Sequence, residues 1–502
     1  MKKRLKTAIK FISFTLIACM LVLAVNEWMR PKFYFDGIWS PTNTYKDFYK
    51  LNKNSVDVLF LGSSHAITAF NPQVIYDNYG ITSYNLSSEQ QSILISYYWL
   101  EEALKYQSPK VVVLDAFTLH KYTEVYVYND LNCAEGAIRK AMDNMRFSPL
   151  KIRAAKEIAK IDPTQNALSF FLLNIRYHSR WTDLSESDYY DSAFVNHGGI
   201  KGYNIIGGTD PGASDVALNV SDLSDVEAEP MIGIADDYLG RIVEVCKENN
   251  IQLILTNTPY AESLQRYKSV AEYAADHDIP YYDFNEETLY NEIGYSASEN
   301  LLYHPNYLGA EKISDYMGKI LSEEYGITPR IDDSFVKTKE NYEHKVNNLK
   351  LKETEDTYEY LDMLKNDDYS IFIFAPCDYS EFLDDEMAAK IQALGFTADL
   401  RNAEAGTHYF GLNDKGKIRE EFTDEDFAIT GSFRKGYGKY SCTVDTSLMV
   451  SAFHTYSMQI DGVECGNNFP GINIVVYDNE EKTIIDKVNV NSRVEVNSMT
   501  RY

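Results

Sequence analysis

At 502 residues and 57.4 kDa, with 45% hydrophobic and 24% charged residues, the chain is long enough for two or three domains and too balanced to be disordered or fibrous. Its 48 Lys and Arg stand against 74 Asp and Glu, a formal net charge of -26. That excludes nucleic acid as a partner, because a polyanion would meet a repulsive field and no basic patch is visible past the N-terminus.

Lys2, Lys3, Arg4, Lys6 and Lys10 precede an uncharged, mostly apolar run over 11–25, closed by Asn26 and Glu27 and followed by Trp28. The run is short for a span of about 20 residues, but Thr7, Ala8 and Ile9 lengthen it and Lys10 can snorkel. Ala24 to Met29 offers a poor cleavage site and Trp28 suits an interfacial anchor, so 1–30 reads as a basic cytoplasmic flank and an uncleaved anchor. A cleaved signal peptide is the alternative. Either way everything after residue 30 is expected outside the cell membrane, with the acidic bulk standing off a surface that repels it.

From residue 56 to about 324 short apolar runs alternate with helical patterns. Strands are expected at 56–61, 110–114, 252–255 and 279–282, and helices at 92–105, 236–249, 264–275 and 307–324. Continuous apolar strands separated by helices predict an α/β fold with a doubly wound parallel sheet. Residues 131–235 break this rhythm as a helical and loop insertion, and the charged stretch 326–367 reads as a linker. A second, smaller unit over 368–502 carries strand patterns at 370–374, 440–444 and 472–476 and a helix at 384–394. Along 472–477 the alternation of Ile472, Ile474 and Val476 with Asn473, Val475 and Tyr477 suits a β-sandwich strand.

The strand at 56–61 runs straight into Gly62-Ser63-Ser64-His65, at the sheet edge where doubly wound folds expose ligand-contacting groups. His304-Pro305-Asn306 stands just before the last helix of the same domain. A Ser and a His so placed can meet across the sheet edge as nucleophile and base.

These residues resemble the SGNH or GDSL hydrolase superfamily, particularly its membrane-anchored branch near the teichoic-acid D-alanylation and alginate O-acetylation proteins. Residues 58–65 look like the first block, Tyr84-Asn85-Leu86-Ser87-Ser88 like the second, and 304–312 like the histidine block, over 52–325 in all. The resemblance implies Ser64 as nucleophile, His304 as general base, and the Ser64 N–H in an oxyanion hole with Ser87 and Asn85 of the second block beside it. The orienting Asp expected three residues before the His is Leu301 here, which leaves Glu299, the nearest acid, the Asn300 side chain or a backbone carbonyl of the loop before the His to accept the imidazole N–H. The third block is absent, with Asp115-Ala116-Phe117-Thr118 at that strand end.

Other candidates are weaker in motif. His65 adjoins the nucleophile, but neighbours in a turn point apart. Arg180, within the polar run 176–181, suits an acceptor sugar or a carboxylate, or else ends a surface helix that packs Trp181. Asn196-His197-Gly198-Gly199 reads as a loop, since metal binding would need partners that the sequence does not group. With no Cys-x-x-Cys pair, neither a metal nor a cofactor is expected, although Cys377, Cys442 and Cys465 allow one disulfide in the last unit.

That last unit, 368–495, resembles the interleukin-like EMT inducer domain through its Gly-x-Asn-x-Val-Val core, Gly471 to Val476. The resemblance implies a β-sandwich with a few helices and a carbohydrate-binding role. Together the two likenesses imply acyl transfer or ester hydrolysis, of O-acetyl groups, on a cell-surface polysaccharide, with a multi-spanning membrane acyltransferase as partner. The alternative is a non-catalytic glycan-binding scaffold with a degenerate site.

Overall fold

The computed structural model describes residues 2–31, 43–120, 134–162, 164–182, 199–212, 214–215, 217–231, 233–260, 262–375, 383–404, 406–433, 438–445, 455–466, 471–491 and 498–502. Cys133, Cys377 and most of the 196–199 loop lie outside them. The chain divides into two compact units, Met1–Lys345 and Val346–Tyr502.

Unit 1 begins with helix α1, Lys2–Trp28. Its stretch Arg4–Trp28 is long and apolar enough to cross a membrane, roughly 37 Å at 1.5 Å per residue, and none of it is buried in the protein over its most apolar window. The short helix α2, Asn43–Phe48, leads into a five-stranded parallel sheet. The strands are β1 Val58–Leu61, β2 Ser83–Asn85, β3 Val111–Asp115, β4 Gln252–Asn257 and β5 Tyr281–Asp283, in the order β2-β1-β3-β4-β5.

The apolar runs fold this way because both of their faces are covered. Leu59, Leu61, Val112, Leu114, Leu253 and Leu255 face one core, under α5 (Ile93–Ala103) and the helix Ala235–Glu248. Val58, Phe60, Val111, Val113 and Ile254 face the other. There they meet α3 (Ser64–Ala69), α4 (Pro72–Tyr79) and the helix Tyr307–Glu323. The sheet is therefore doubly wound, as its sequence pattern predicts. Two of its elements escape that pattern: β2 has three residues, too few for a period, and α3 has six.

The insertion supplies α6, Ala134–Asn144, and α7, Pro149–Ile161, then short turns over 167–182. The stretch read as a linker is largely helical, Ser334–Glu353 and Thr357–Met363. Phe335, Tyr342, Val346 and Leu351 are buried among its charges, so the charges mark the wet side of a helix.

Unit 2 stacks a six-stranded antiparallel sheet against a four-stranded one. At the centre of the larger sheet the strands Tyr369–Ala375 and Ile472–Asp478 pair with each other, and every residue of both is buried. The expected alternation is real but separates two cores rather than core from solvent. Ile472, Ile474 and Val476 pack towards the helices, whereas Val475 and Tyr477 pack towards the second sheet. Asn473 is structural: it accepts from Asn489 at 2.9 Å. Cys442 and Cys465 are separate buried thiols, not a disulfide.

Candidate active site

The sheet order places a topological switch between β1 and β3, where crossovers leave in opposite directions and a crevice opens at the strand ends. Gly62, Ser63 and Ser64 turn the chain there from β1 into α3. Gly62 has φ +154, and a Cβ on it would lie 2.6 Å from the Asp115 Cβ and 2.9 Å from the Ala66 Cβ, so only glycine fits between β3 and the helix. Ser63 caps α3 by accepting from the His65 N–H, and its hydroxyl donates to Asp115 Oδ2 at 3.0 Å. Ser64 is then the first helical residue, and its N–H has no carbonyl within its own helix to bond.

His304 arrives from a hairpin of β6, Asn300–Leu301, and β7, His304–Pro305. The two linking residues, Leu302 and Tyr303, have φ +50 and +61, the mirror-image turn that normally takes Asn-Gly. His304 Nε2 lies 2.8 Å from Ser64 Oγ, and Nδ1 lies 2.5 Å from the Leu302 carbonyl oxygen. A carbonyl can only accept, so Nδ1 carries the hydrogen and the Nε2 lone pair faces the serine.

Burial is the largest influence on this imidazole and lowers its pKa to about 4, against the opposing pull of the Leu302 carbonyl and the Asp210 carboxylate. Asp210 comes from the end of the insertion and accepts from the Tyr303 N–H at 3.3 Å. Asn306 completes the support: it caps the following helix and donates to the Gly208 and Ser298 carbonyls.

Glu299 is not the orienting acid. Its carboxylate caps its own turn through the Ser296 N–H and pairs with Lys312 at 2.5 Å. Asn85 is not a substrate group either, because it is fully buried and its amide donates to the Ala66 and Phe70 carbonyls, tying β2 to α3. Ser87 is better placed. The loop after β2 hangs on the Phe60 and Gly62 carbonyls through Leu86 and Ser88, which sets Ser87 beside the nucleophile turn. Arg180 opens the turn Arg180–Thr182 next to Trp181, which is exposed rather than packed.

His65 does not point away. It is buried with its ring 4.5 Å from that of His304, 3.9 Å from Phe117 and 4.8 Å from Tyr260, and its Nδ1 is 3.3 Å from Thr258 Oγ1. Being helical, α3 sends successive side chains about 100° apart, which is enough for Ser64 and His65 to flank one imidazole. Asp115, at the end of β3, is fully buried, and that burial pushes its carboxyl up to about 7 despite bonds from Ser63 and Phe117. Tyr260 donates to Glu262, whose carboxyl burial likewise raises to about 7. The Leu302 carbonyl is one of the acceptors that the sequence offers for the imidazole N–H, a backbone carbonyl of the loop before the His; sequence reasoning did not assign Asp115 or Asp210. Only Asp115 had a signal, as an acid closing an apolar strand.

No protein-family model matches this chain, and no curated protein does. Among solved structures, the crystal structure of a candidate acylhydrolase from Bacteroides fragilis aligns at 13% identity, covering 56% of this chain and 94% of that one with a TM-score of 0.27. So slight a likeness leaves the chemistry to rest on the side chains themselves.

Proposed function

We propose that unit 1 is a membrane-anchored serine esterase or O-acyltransferase of SGNH type, acting on acyl esters of acetyl size on a cell-surface polysaccharide. The observation that carries this reading is the 2.8 Å contact between Ser64 Oγ and a histidine tautomer whose lone pair faces it, at the switch point of the sheet. Ser64 Oγ attacks the acyl carbonyl while His304 Nε2 takes its proton. The resulting oxyanion is received by the Ser64 N–H, with the Ser87 N–H the second donor. His304 then returns the proton to the departing alkoxide, leaving an acyl-serine. Water or a sugar hydroxyl, deprotonated by the same nitrogen, resolves it. A carbonyl in the place of an acid fixes the tautomer but stabilises the imidazolium less than a carboxylate would.

Anchorage through α1 is supported by its last turns. Asn26 and Met29 are buried against the insertion, and the Leu173 N–H donates to Asn26 Oδ1 at 2.5 Å. Cleavage near residue 26 would remove packed residues, which argues for an uncleaved helix with its basic N-terminus in the cytoplasm. The acceptor glycan, glycan holding by unit 2, and supply of acyl groups by a multi-spanning acyltransferase belong to the same reading.

The test is hydrolysis of p-nitrophenyl acetate by the full chain, with a serine-directed fluorophosphonate as probe. Turnover and adduct formation that both disappear in Ser64→Ala support the reading. Equal traces in wild type and variant would leave a glycan-binding scaffold.

A further inference from the structure

The membrane helix does not leave the bilayer into a free tether. Arg30 donates to the Asp143 carbonyl at 2.6 Å and to Asn144 Oδ1 at 3.1 Å, and Asn26 Nδ2 donates to the Phe171 carbonyl at 3.4 Å. Met29 is buried with Ala137, Leu173 and Tyr177. The end of α1 is thus seated on α6 and on the turns over 167–177, so this face of unit 1 lies at the level where the helix emerges.

That face is apolar where it is exposed. Phe147 is 78% exposed, Leu168 62% and Trp181 67%, and Leu172 and Ile175 are also exposed. They stand close in sequence to the residues that hold α1: Phe147 packs edge-on against Phe171, and Leu172 precedes Leu173. The charge here is opposite to that of the rest of the chain. Among the described residues of 146–181 that are not buried, Arg146, Arg153, Lys156, Lys160, Arg176 and Arg180 stand against Glu157, in a protein of net charge -26.

We infer that the 147–181 face is a collar that sits in the outer phospholipid interface around the emerging helix, its apolar side chains among the upper acyl carbons and its basic residues among the headgroup phosphates. Two independent observations favour lipid as the occupant. The patch surrounds the exit of a helix of membrane-spanning length, and its positive excess complements anionic headgroups. A Trp flanked by basic residues and exposed aliphatics is also the composition of an interfacial belt. The stand-off expected from net charge therefore does not hold at this face. The acidic bulk is elsewhere, and unit 1 is pinned to the surface at two adjacent places, the helix and the collar. This inference rests on α1 crossing the bilayer and not on the chemistry of Ser64.

The test uses the full chain reconstituted into vesicles of phosphatidylcholine and phosphatidylglycerol, with brominated acyl chains as the lipid-phase quencher. Comparison of wild type with Trp181→Phe isolates the Trp181 emission, and comparison with Trp28→Phe isolates the helix end. The expected result is loss of both components on exchange into brominated lipid, with Trp181 shielded from aqueous iodide. In the double variant Phe147→Asp, Leu168→Asp, whose sites are exposed enough to accept charge, Trp181 should regain emission while Trp28 stays quenched. Trp181 bright in brominated lipid overturns the proposal, whether iodide quenches it, the face then being bare, or does not, the face then being covered by protein. Trp28 bright as well overturns it together with the anchor.

Discussion

The two halves of the candidate site are built in opposite ways. Gly62 to Ser64 is sunk at the end of a strand covered on both faces, and its geometry is dictated by what touches it: Asp115 behind, α3 ahead, and the Ser87 loop alongside. The His304 hairpin has two strand residues on each side and a turn of two exposed residues in left-handed backbone. It is held by a few hydrogen bonds, with Asp210 accepting from the Tyr303 N–H and Asn306 donating to the Gly208 and Ser298 carbonyls. The lesson is that a Ser-His pair can divide the work of alignment, with steric exclusion fixing the serine and a strained turn aiming the histidine.

Breaking the first half should have the largest effect. Gly62→Ala adds a Cβ 2.6 Å from that of Asp115 at a φ where alanine is strained. We expect a loss of about 3 kcal/mol in stability and turnover near background, read by thermal melting and p-nitrophenyl acetate hydrolysis. A variant that melts as wild type does and keeps its turnover would show that packing does not set the nucleophile.

The second comparison is sharpened by giving the hairpin the acid it lacks. Leu301 pairs directly with His304 across the hairpin, so Leu301→Asp sets a carboxylate within reach of the imidazole. Turnover should rise roughly tenfold, the effect of about 1.4 kcal/mol on the barrier. The pH profile moves with it. His304 must be neutral to act, and with its pKa near 4 the wild-type kcat/KM should fall only as the pH drops towards 4. A neighbouring carboxylate stabilises the imidazolium, so in Leu301→Asp the acid limb should shift upward. A shifted limb with no gain would mean that the oxyanion donors limit the reaction. The smallest effect is on the turn itself: Tyr303→Gly relieves one left-handed side chain and should stabilise the chain by about 1 kcal/mol, read as a rise in melting temperature.

Much of this was legible in the sequence, for identifiable reasons. Unbroken runs such as 110–114 name buried parallel strands because no other environment suits them, and a serine directly after one is visible at the sheet edge. β2 and α3 are shorter than the periods that would reveal them. A loop carbonyl is among the acceptors that the sequence offers His304, but the choice between it, Glu299 and Asn300 is not legible, because it is set by two positive φ angles at Leu302 and Tyr303 where no glycine or asparagine advertises a turn. Glu299 misled because proximity in sequence stood in for direction. His65 was dismissed on turn geometry when the backbone there had already become helical. The charges over 337–359 mark a linker by composition, which, unlike spacing, does not show the apolar stripe of its helices.

α6 carries a further consequence. Ala137 packs with Met29 of the anchor, and Lys140, three residues on, pairs with Glu89 at 2.6 Å in the loop that follows Ser87, with both side chains out of water. Ser88 donates to the same carboxylate oxygen. Breaking a buried ion pair by removing one partner costs about 3 to 5 kcal/mol, so this loop has no cheap alternative position. One helix thus acts as a strut between the end of α1 and the floor of the crevice. If α1 spans a bilayer and the substrate is a surface glycan, as proposed, the length of α6 sets how high above the lipid Ser64 is carried, and so which stratum of the glycan it can reach.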